Sequence, residues 1–229
     1  MKKIAVFGSE DSLKGLKKIE LAGDIKVIPV KAIDFVKNDF EIKNISEFDW
    51  VFFGSKRGVK FFLEKVNSEH LKELKIACVG DKTAEFLEKK GIKPDFVPSN
   101  NSSKHFFEEF TKNFSPEKGI LFPTSNISKN DLTKEFSKIG ILFKKIVVYK
   151  TVCADSVFEE NADAYIFLSP SSFKCFLEKK PSVAFKNKIL CAIGSITAKE
   201  IEEHGLNCVF PEKYGVKEAL KLTIKKLGG

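Results

Sequence analysis

Four hydroxyl side chains recur at matched places in this chain, and their setting suits anion binding. Ser55 lies in "VFFGSKRGVKFFLEKV", which begins at Val51, and Ser169 lies in "IFLSPSSFKCFLEKK", which begins at Ile166. Thr83 sits in "VGDKTA" and Thr197 in "IGSITA". Each follows an apolar run that reads as a strand and stands where a helix begins. A helix N-terminus offers unpaired N–H groups and partial positive charge, so it holds carboxylates and phosphates. One such contact is worth about 0.3–1 kcal/mol, and about 2 kcal/mol when partly buried. Ser and Thr are also ordinary helix caps, so at any single position both roles stand open. Arg57 is the sole arginine and falls at the start of the first of these helices. Its planar fork suits a carboxylate, with a surface helix residue as the alternative.

The absent motifs narrow the chemistry. No GxGxxG follows a strand, and neither a phosphate-loop GxxxxGK[ST] nor a GxSxG elbow occurs. His70, His105 and His204 lie far apart in polar sequence, so they assemble neither a Ser-His-Asp set nor a metal site and read as surface residues. Any reaction must therefore rest on positioning and electrostatics rather than on a strong nucleophile.

Composition bounds the partners. The chain has 229 residues, 43% hydrophobic and 31% charged, enough for one large domain or two smaller ones. No apolar run approaches the roughly 20 residues of a membrane span. The opening "MKKIAVFGSEDS" has too short an apolar stretch for a secretory signal, so it reads as a first strand and a cytoplasmic location is expected. Cys78, Cys153, Cys175, Cys191 and Cys208 are odd in number and form no C-x-x-C. They are expected to be buried reduced thiols rather than a disulfide or zinc framework. The net charge of +8 fits either a lysine-rich surface or an anionic partner. Lysines alternate with Asp and Glu and form no basic tail, which argues against nucleic acid.

The elements that must position these residues come next. Ten short apolar runs read as strands, near residues 3, 25, 50, 76, 95, 119, 145, 165, 189 and 208. Most are continuously apolar, as parallel strands covered on both faces are. Helical patterns fill most gaps: Val59, Phe62, Leu63 and Val66 share a face, as do Phe106, Phe107, Phe110 and Phe114, then Leu132, Phe136 and Ile139, and finally Val216, Ala219, Leu220, Ile224 and Leu227. Strand–helix alternation predicts an α/β doubly wound sheet. The step of 114 residues from Ser55 to Ser169 also carries Phe53 to Phe167, Lys60 to Lys174, Phe62 to Phe176, Gly80 to Gly194, Thr83 to Thr197 and Gly91 to Gly205. One strand–helix–strand–helix unit is thus written twice. The second copy runs out of chain, and "IAVFGS" at 4 echoes "ILFPTS" at 120, so its missing strands are expected at the N-terminus. The expected layout is a continuous lobe at 45–148 and a discontinuous lobe from 1–35 plus 152–229. Linkers at 36–44 and 149–160 would join them across a hinge, leaving a cleft.

Several segments together carry a resemblance: "FFGSKRGVKFF", "ACVGDKTAEFLEKKGIKPDFVPS", "GILFPTSNISKNDLTKEFSKIGILFKKIVVYKT", "IFLSPSSFKCF" and "CAIGSITAKEIEEHG". In order and spacing, from about Phe48 to the C-terminus, they resemble the uroporphyrinogen-III synthase family. The first strand departs from the family pattern, with Gly8-Ser9-Glu10 where Thr-Arg-Pro is common. The resemblance implies two flavodoxin-like lobes with parallel sheets, joined by a two-stranded linker. It implies a monomer without metal or cofactor. It also implies cyclisation of the linear tetrapyrrole hydroxymethylbilane to uroporphyrinogen III, with inversion of ring D and loss of water. The substrate's acetates and propionates would suit helix N-termini. By motif, Tyr149 of "VVYKT" is carried over as the general acid for the departing hydroxyl, with packing at the hinge as its alternative. Ser55, Thr83, Ser169 and Thr197 match the family's cleft-lining hydroxyls, and Ser125 in "FPTSN" joins them. Hydroxymethylbilane synthase, which supplies the unstable substrate, is a candidate transient partner. The competing readings are a two-lobed polycarboxylate-binding protein without catalysis and a nucleic-acid-binding protein.

Overall fold

Apolar runs become strands buried on both faces. The computed structural model describes all residues except 19–23, 101, 129–131, 157–160, 181–184 and 229. Its strands are β1 (Lys2–Gly8), β2 (Ile25–Lys31), β3 (Ile33–Lys37), β4 (Trp50–Phe53), β5 (Lys75–Cys78), β6 (Ile120–Ser125), β7 (Phe143–Cys153), β8 (Ala164–Phe167) and β9 (Ile189–Ala192). The helices are α1 (Glu10–Leu13), α2 (Lys56–Leu63), α3 (Asp81–Glu88), α4 (Ser103–Asn113), α5 (Leu132–Lys138), α6 (Pro170–Lys179), α7 (Ser195–Glu202) and α8 (Val216–Lys226). Every residue of β4, β6 and β8 is buried, as a sheet layered on both sides by helices requires.

The chain divides into two compact units, Met1–Asp34 with Val152–Gly229, and Phe35–Thr151. The first holds the sheet β2-β1-β8-β9, and the second contains most of the sheet β3-β7-β6-β4-β5. Both unit boundaries fall inside strands, in β3 and β7, which are hydrogen-bonded neighbours. Ala154 N donates to Ala32 O at 3.0 Å and Asn38 N to Val148 O at 3.1 Å. Residue numbers rise along one strand as they fall along the other, so this pair is antiparallel. The other pairings whose registers are defined are parallel. The last four residues of the second expected linker, 157–160, lie outside the described residues.

The repeat is visible in the registers. Trp50 pairs with Lys75 and Phe53 with Cys78; 114 residues on, Ala164 pairs with Ile189 and Phe167 with Ala192. Ile120 pairs with Trp50 as Ile4 pairs with Ala164, so β6 stands where β1 stands in the other unit. The first unit has the flavodoxin-like order, and the second has the same order circularly permuted. Side chains alternate across each sheet with the period of two that a strand dictates. Trp50 and Phe52 enter an aromatic core with Phe106, Phe110 and Phe136, while Val51 and Phe53 enter another with Val59, Phe61 and Phe62. Correspondingly, Ile166 packs towards Ala219 and Leu220, and Phe167 towards Phe173 and Phe176.

Four features differ from the sequence expectation. The runs near 95 and 208 form only isolated bridges, Ala77 to Phe96 and Cys191 to Val209. Pro98 and Pro211 follow them closely, and a proline cannot extend a ladder. Strand β3 is not among the ten runs, because Asp34 interrupts its apolar residues Ile33, Phe35 and Val36, although the two-stranded linker implied by the resemblance calls for a strand at about this place. Ile139 is 50% exposed, since α5 has already ended at Lys138. Finally, the cysteines are not all reduced: Cys153 and Cys175 form a disulfide with Cα atoms 5.2 Å apart. They are 22 residues apart in sequence, which leaves no local signal. They meet because α6 runs beside the end of β7, where Lys179 Nζ donates to Ala154 O at 2.6 Å. Cys78, Cys191 and Cys208 are free thiols. Burial pushes Cys78 up to about 12 and Cys208 to about 11, and raises Cys191 too.

Candidate functional site

Parallel α/β units bind ligands beyond the carboxyl ends of their strands, and the singled-out residues gather there within each unit. In Phe35–Thr151, Ser55 follows β4, Thr83 lies in the first turn of α3 after β5, Ser125 ends β6, and Tyr149 lies opposite it on β7. In the other unit, Ser169 follows β8, Thr197 lies in the first turn of α7 after β9, and Ser9 stands where Ser125 stands. Sequence motifs alone passed over Ser9, although the echo of "ILFPTS" in "IAVFGS" contained it.

The hydroxyls fall into two kinds. Ser55 Oγ accepts from Gly58 N at 3.2 Å, and Ser169 Oγ accepts from Ser172 N at 3.1 Å, so both cap their helices. Ser172 Oγ in turn accepts from Ser169 N, completing a capping box. Thr83, Thr197, Ser125 and Tyr149 are 5%, 3%, 8% and 8% exposed, and none of their side-chain hydroxyls has a hydrogen-bond partner among the described residues. Among those residues no fully buried side-chain nitrogen or oxygen lacks a partner. These four hydroxyls therefore keep contact with solvent while the rest of each side chain is packed away.

A β-bulge directs Tyr149. Thr124 pairs with Val147, but Ser125 pairs with Tyr149, leaving Val148 as the extra residue. Successive strand residues ordinarily face opposite sides, yet Val148 and Tyr149 both join the core against α2. The Tyr149 ring stacks on Phe61 at 5.1 Å and 19° and meets Phe35 edge-on at 6.0 Å and 75°. The Arg57 guanidinium lies over the Phe35 ring, 3.7 Å from its centroid. Stacking uses the face of a guanidinium and leaves hydrogen bonding to its N–H edge. Arg57 and Tyr149 are thereby brought together through Phe35. Neither Phe35 nor Phe61 was singled out in the sequence, because an aromatic inside an apolar run looks like core.

Gly80 precedes α3 at φ +88°, a conformation glycine adopts without steric cost. Gly58 faces β6 so closely that an added Cβ would lie 2.8 Å from the Pro123 carbonyl oxygen. The histidines are peripheral. His70 is exposed, His105 Nδ1 lies 2.7 Å from Ser102 Oγ, and His204 Nδ1 lies 2.8 Å from Glu200 O. Among the described residues no group of three His, Cys, Asp or Glu is placed to hold a metal ion, and no helix is long and apolar enough to cross a membrane.

These units define a two-lobed, flavodoxin-like α/β protein. A crystal structure of uroporphyrinogen-III synthetase from Helicobacter pylori has the same fold, with TM-score 0.74 at 20% identity over 99% of this chain and 100% of that one. A mutant uroporphyrinogen III synthase from Thermus thermophilus follows at TM-score 0.62 and 14% identity, covering 100% and 99%. The family model for uroporphyrinogen-III synthase HemD matches residues 17–221, and the chain belongs to this family of tetrapyrrole-biosynthesis enzymes. A relative in Methanocaldococcus jannaschii, provisionally named uroporphyrinogen-III synthase, is 28% identical over 80% of this chain and 82% of its own. The uroporphyrinogen-III synthase of Chlorobaculum parvum is 22% identical over 80% and 84%.

Proposed function

We propose that the chain cyclises hydroxymethylbilane to uroporphyrinogen III with ring D inverted, using Tyr149 as the proton donor. The observation that carries this reading is Tyr149, placed beside the carboxyl end of β6 with its hydroxyl unpartnered among the described residues and its ring held between Phe35 and Phe61. The Tyr149 O–H donates to the departing hydroxyl, which leaves as water. Its part is one well-placed proton-donating hydrogen bond that strengthens as the C–O bond breaks. The azafulvene cation that remains is attacked by ring D through its substituted carbon. The resulting spiro intermediate opens and recloses with ring D turned over, and loss of a ring proton completes the balance. The pyrroles supply the electrons throughout, so no protein nucleophile is needed. Arg57, Thr83, Ser125 and Thr197, with the helix ends capped by Ser55 and Ser169, take the acetate and propionate groups.

Action in the cytoplasm as a monomer, with transient contact to hydroxymethylbilane synthase, completes the proposal. The test feeds enzymatically generated hydroxymethylbilane to the protein and separates the isomers of the product. Predominant type III isomer is expected. Type I isomer at the rate of the protein-free control would overturn catalysis, and tight binding with only type I product would leave a polycarboxylate-binding protein.

A further inference from the structure

We propose that Phe35 is a positioning residue that holds Arg57 and Tyr149 in one arrangement. The proposal rests on the roles given above to those two residues. Phe35 is half-buried on β3. Its face carries the Arg57 guanidinium at 3.7 Å, and Tyr149 meets it edge-on at 6.0 Å. The other neighbour of Tyr149, Phe61, stacks at 5.1 Å. Arg57 and Phe61 both belong to α2, one helical turn apart and so on one face. The contacts therefore close a ring: Arg57 to Phe35, Phe35 to Tyr149, Tyr149 to Phe61, and Phe61 back to Arg57 through the helix. In a closed ring of packed groups no member turns without displacing the next. Removing the Phe35 ring opens the circuit at a point that touches both functional side chains. Arg57 then loses the surface that orients its donor edge, and Tyr149 loses the wall that sets its ring plane.

The chemistry predicts how the effects divide. Arg57 acts on binding, Tyr149 acts on the chemical step, and Phe35 touches both. Steady-state kinetics are measured for Phe35→Leu, Phe35→Met, Phe35→Tyr, Arg57→Ala, Tyr149→Phe and the doubles F35L/R57A and F35L/Y149F, with urea unfolding as the check on folding. Arg57→Ala is expected to raise KM and Tyr149→Phe to lower kcat. Phe35→Leu is expected to do both, each by roughly 10-fold, as misplacement of a reacting group by a fraction of an ångström does. Phe35→Met, similar in bulk but without a ring, behaves alike and stands in should the leucine variant unfold. Phe35→Tyr keeps the ring and recovers most of both parameters. In the doubles, Phe35→Leu adds little to the KM of Arg57→Ala and little to the loss of kcat in Tyr149→Phe. Impaired Arg57→Ala and Tyr149→Phe alongside an unimpaired Phe35→Leu would overturn the positioning role alone. Fully additive doubles would do the same. Wild-type kinetics in Arg57→Ala and Tyr149→Phe would overturn the site reading itself, and this proposal with it.

Discussion

At the residue scale, what separates a ligand-binding hydroxyl from a helix cap is whether its hydrogen bond is already spent. Ser169 Oγ already accepts from Ser172 N at 3.1 Å, so its loss falls on stability. Ser169→Ala should lower the unfolding free energy by about 1 kcal/mol, within the range of 0.5–2 for lost caps, as urea denaturation would read. Thr83 and Thr197 are packed, but no group in the described protein claims their hydroxyls. Valine has nearly the same shape and helix propensity, so Thr83→Val and Thr197→Val should hold stability within about 0.5 kcal/mol. If each hydroxyl meets a substrate carboxylate, KM rises about 10-fold, since a hydrogen bond to a charged partner is worth about 1.5–3 kcal/mol. Unchanged KM would reduce both threonines to packing. The matched positions of these residues were legible because a repeat step exposes them. Their division into two kinds was not, because Ser and Thr read alike until their neighbours are in place. Tyr149 was legible only through the family resemblance.

At the scale of elements, the strand-to-helix turns were legible because continuous apolar runs give way there to helical periodicity. Two local adjustments were not: the bulge that turns Tyr149 towards Phe61, and the tight seating of α2 on β6. Both depend on how neighbouring strands register, which no single segment encodes. The seating of α2 can be tested at Gly58. In a helix, exchanging glycine for alanine ordinarily gains about 1 kcal/mol from the lost freedom of the unfolded chain. Here the new methyl would lie 2.8 Å from the Pro123 carbonyl oxygen, which belongs to backbone and yields little. Overpacking of this kind costs about 1–3 kcal/mol, so the clash should win. Gly58→Ala is expected to lower the urea midpoint and to weaken turnover by shifting α2, with Arg57 and Phe61 on it. A more stable variant would show that the helix can slide away from β6 at no cost.

At the scale of the molecule, one design appears twice, and the two copies also share an unplanned property: each buries a free thiol in the strand after its repeated first helix. Cys78 ends β5 and Cys191 lies in β9, both fully buried. The expectation of buried thiols held for this pair and failed for Cys153 and Cys175, because pairing across 22 residues is decided by the fold. Thiol titration of the denatured, unreduced chain should therefore find three thiols, rising to five after reduction. A cross-link closing a loop of this length contributes about 3 kcal/mol in the chain-entropy account, so Cys153→Ser with Cys175→Ser should lower stability by that order. The buried thiols predict a dependence on pH of definite sign. An unfolded cysteine ionises near 9, whereas burial pushes Cys78 up to about 12 in the folded protein. The folded state then holds its proton where the unfolded state has released it. The associated stability is complete below the unfolded value and drains away as pH climbs from about 9 towards 12. Urea midpoints measured at neutral pH and again above the unfolded thiol value should diverge in the wild type. The gap should narrow in Cys78→Ala, which has no proton to lose. An equal gap in both proteins would mean that the thiol stays protonated in the unfolded chain as well, or that water reaches it at the end of β5, and the sealed core around Val51, Phe53 and Leu87 would have to be redrawn.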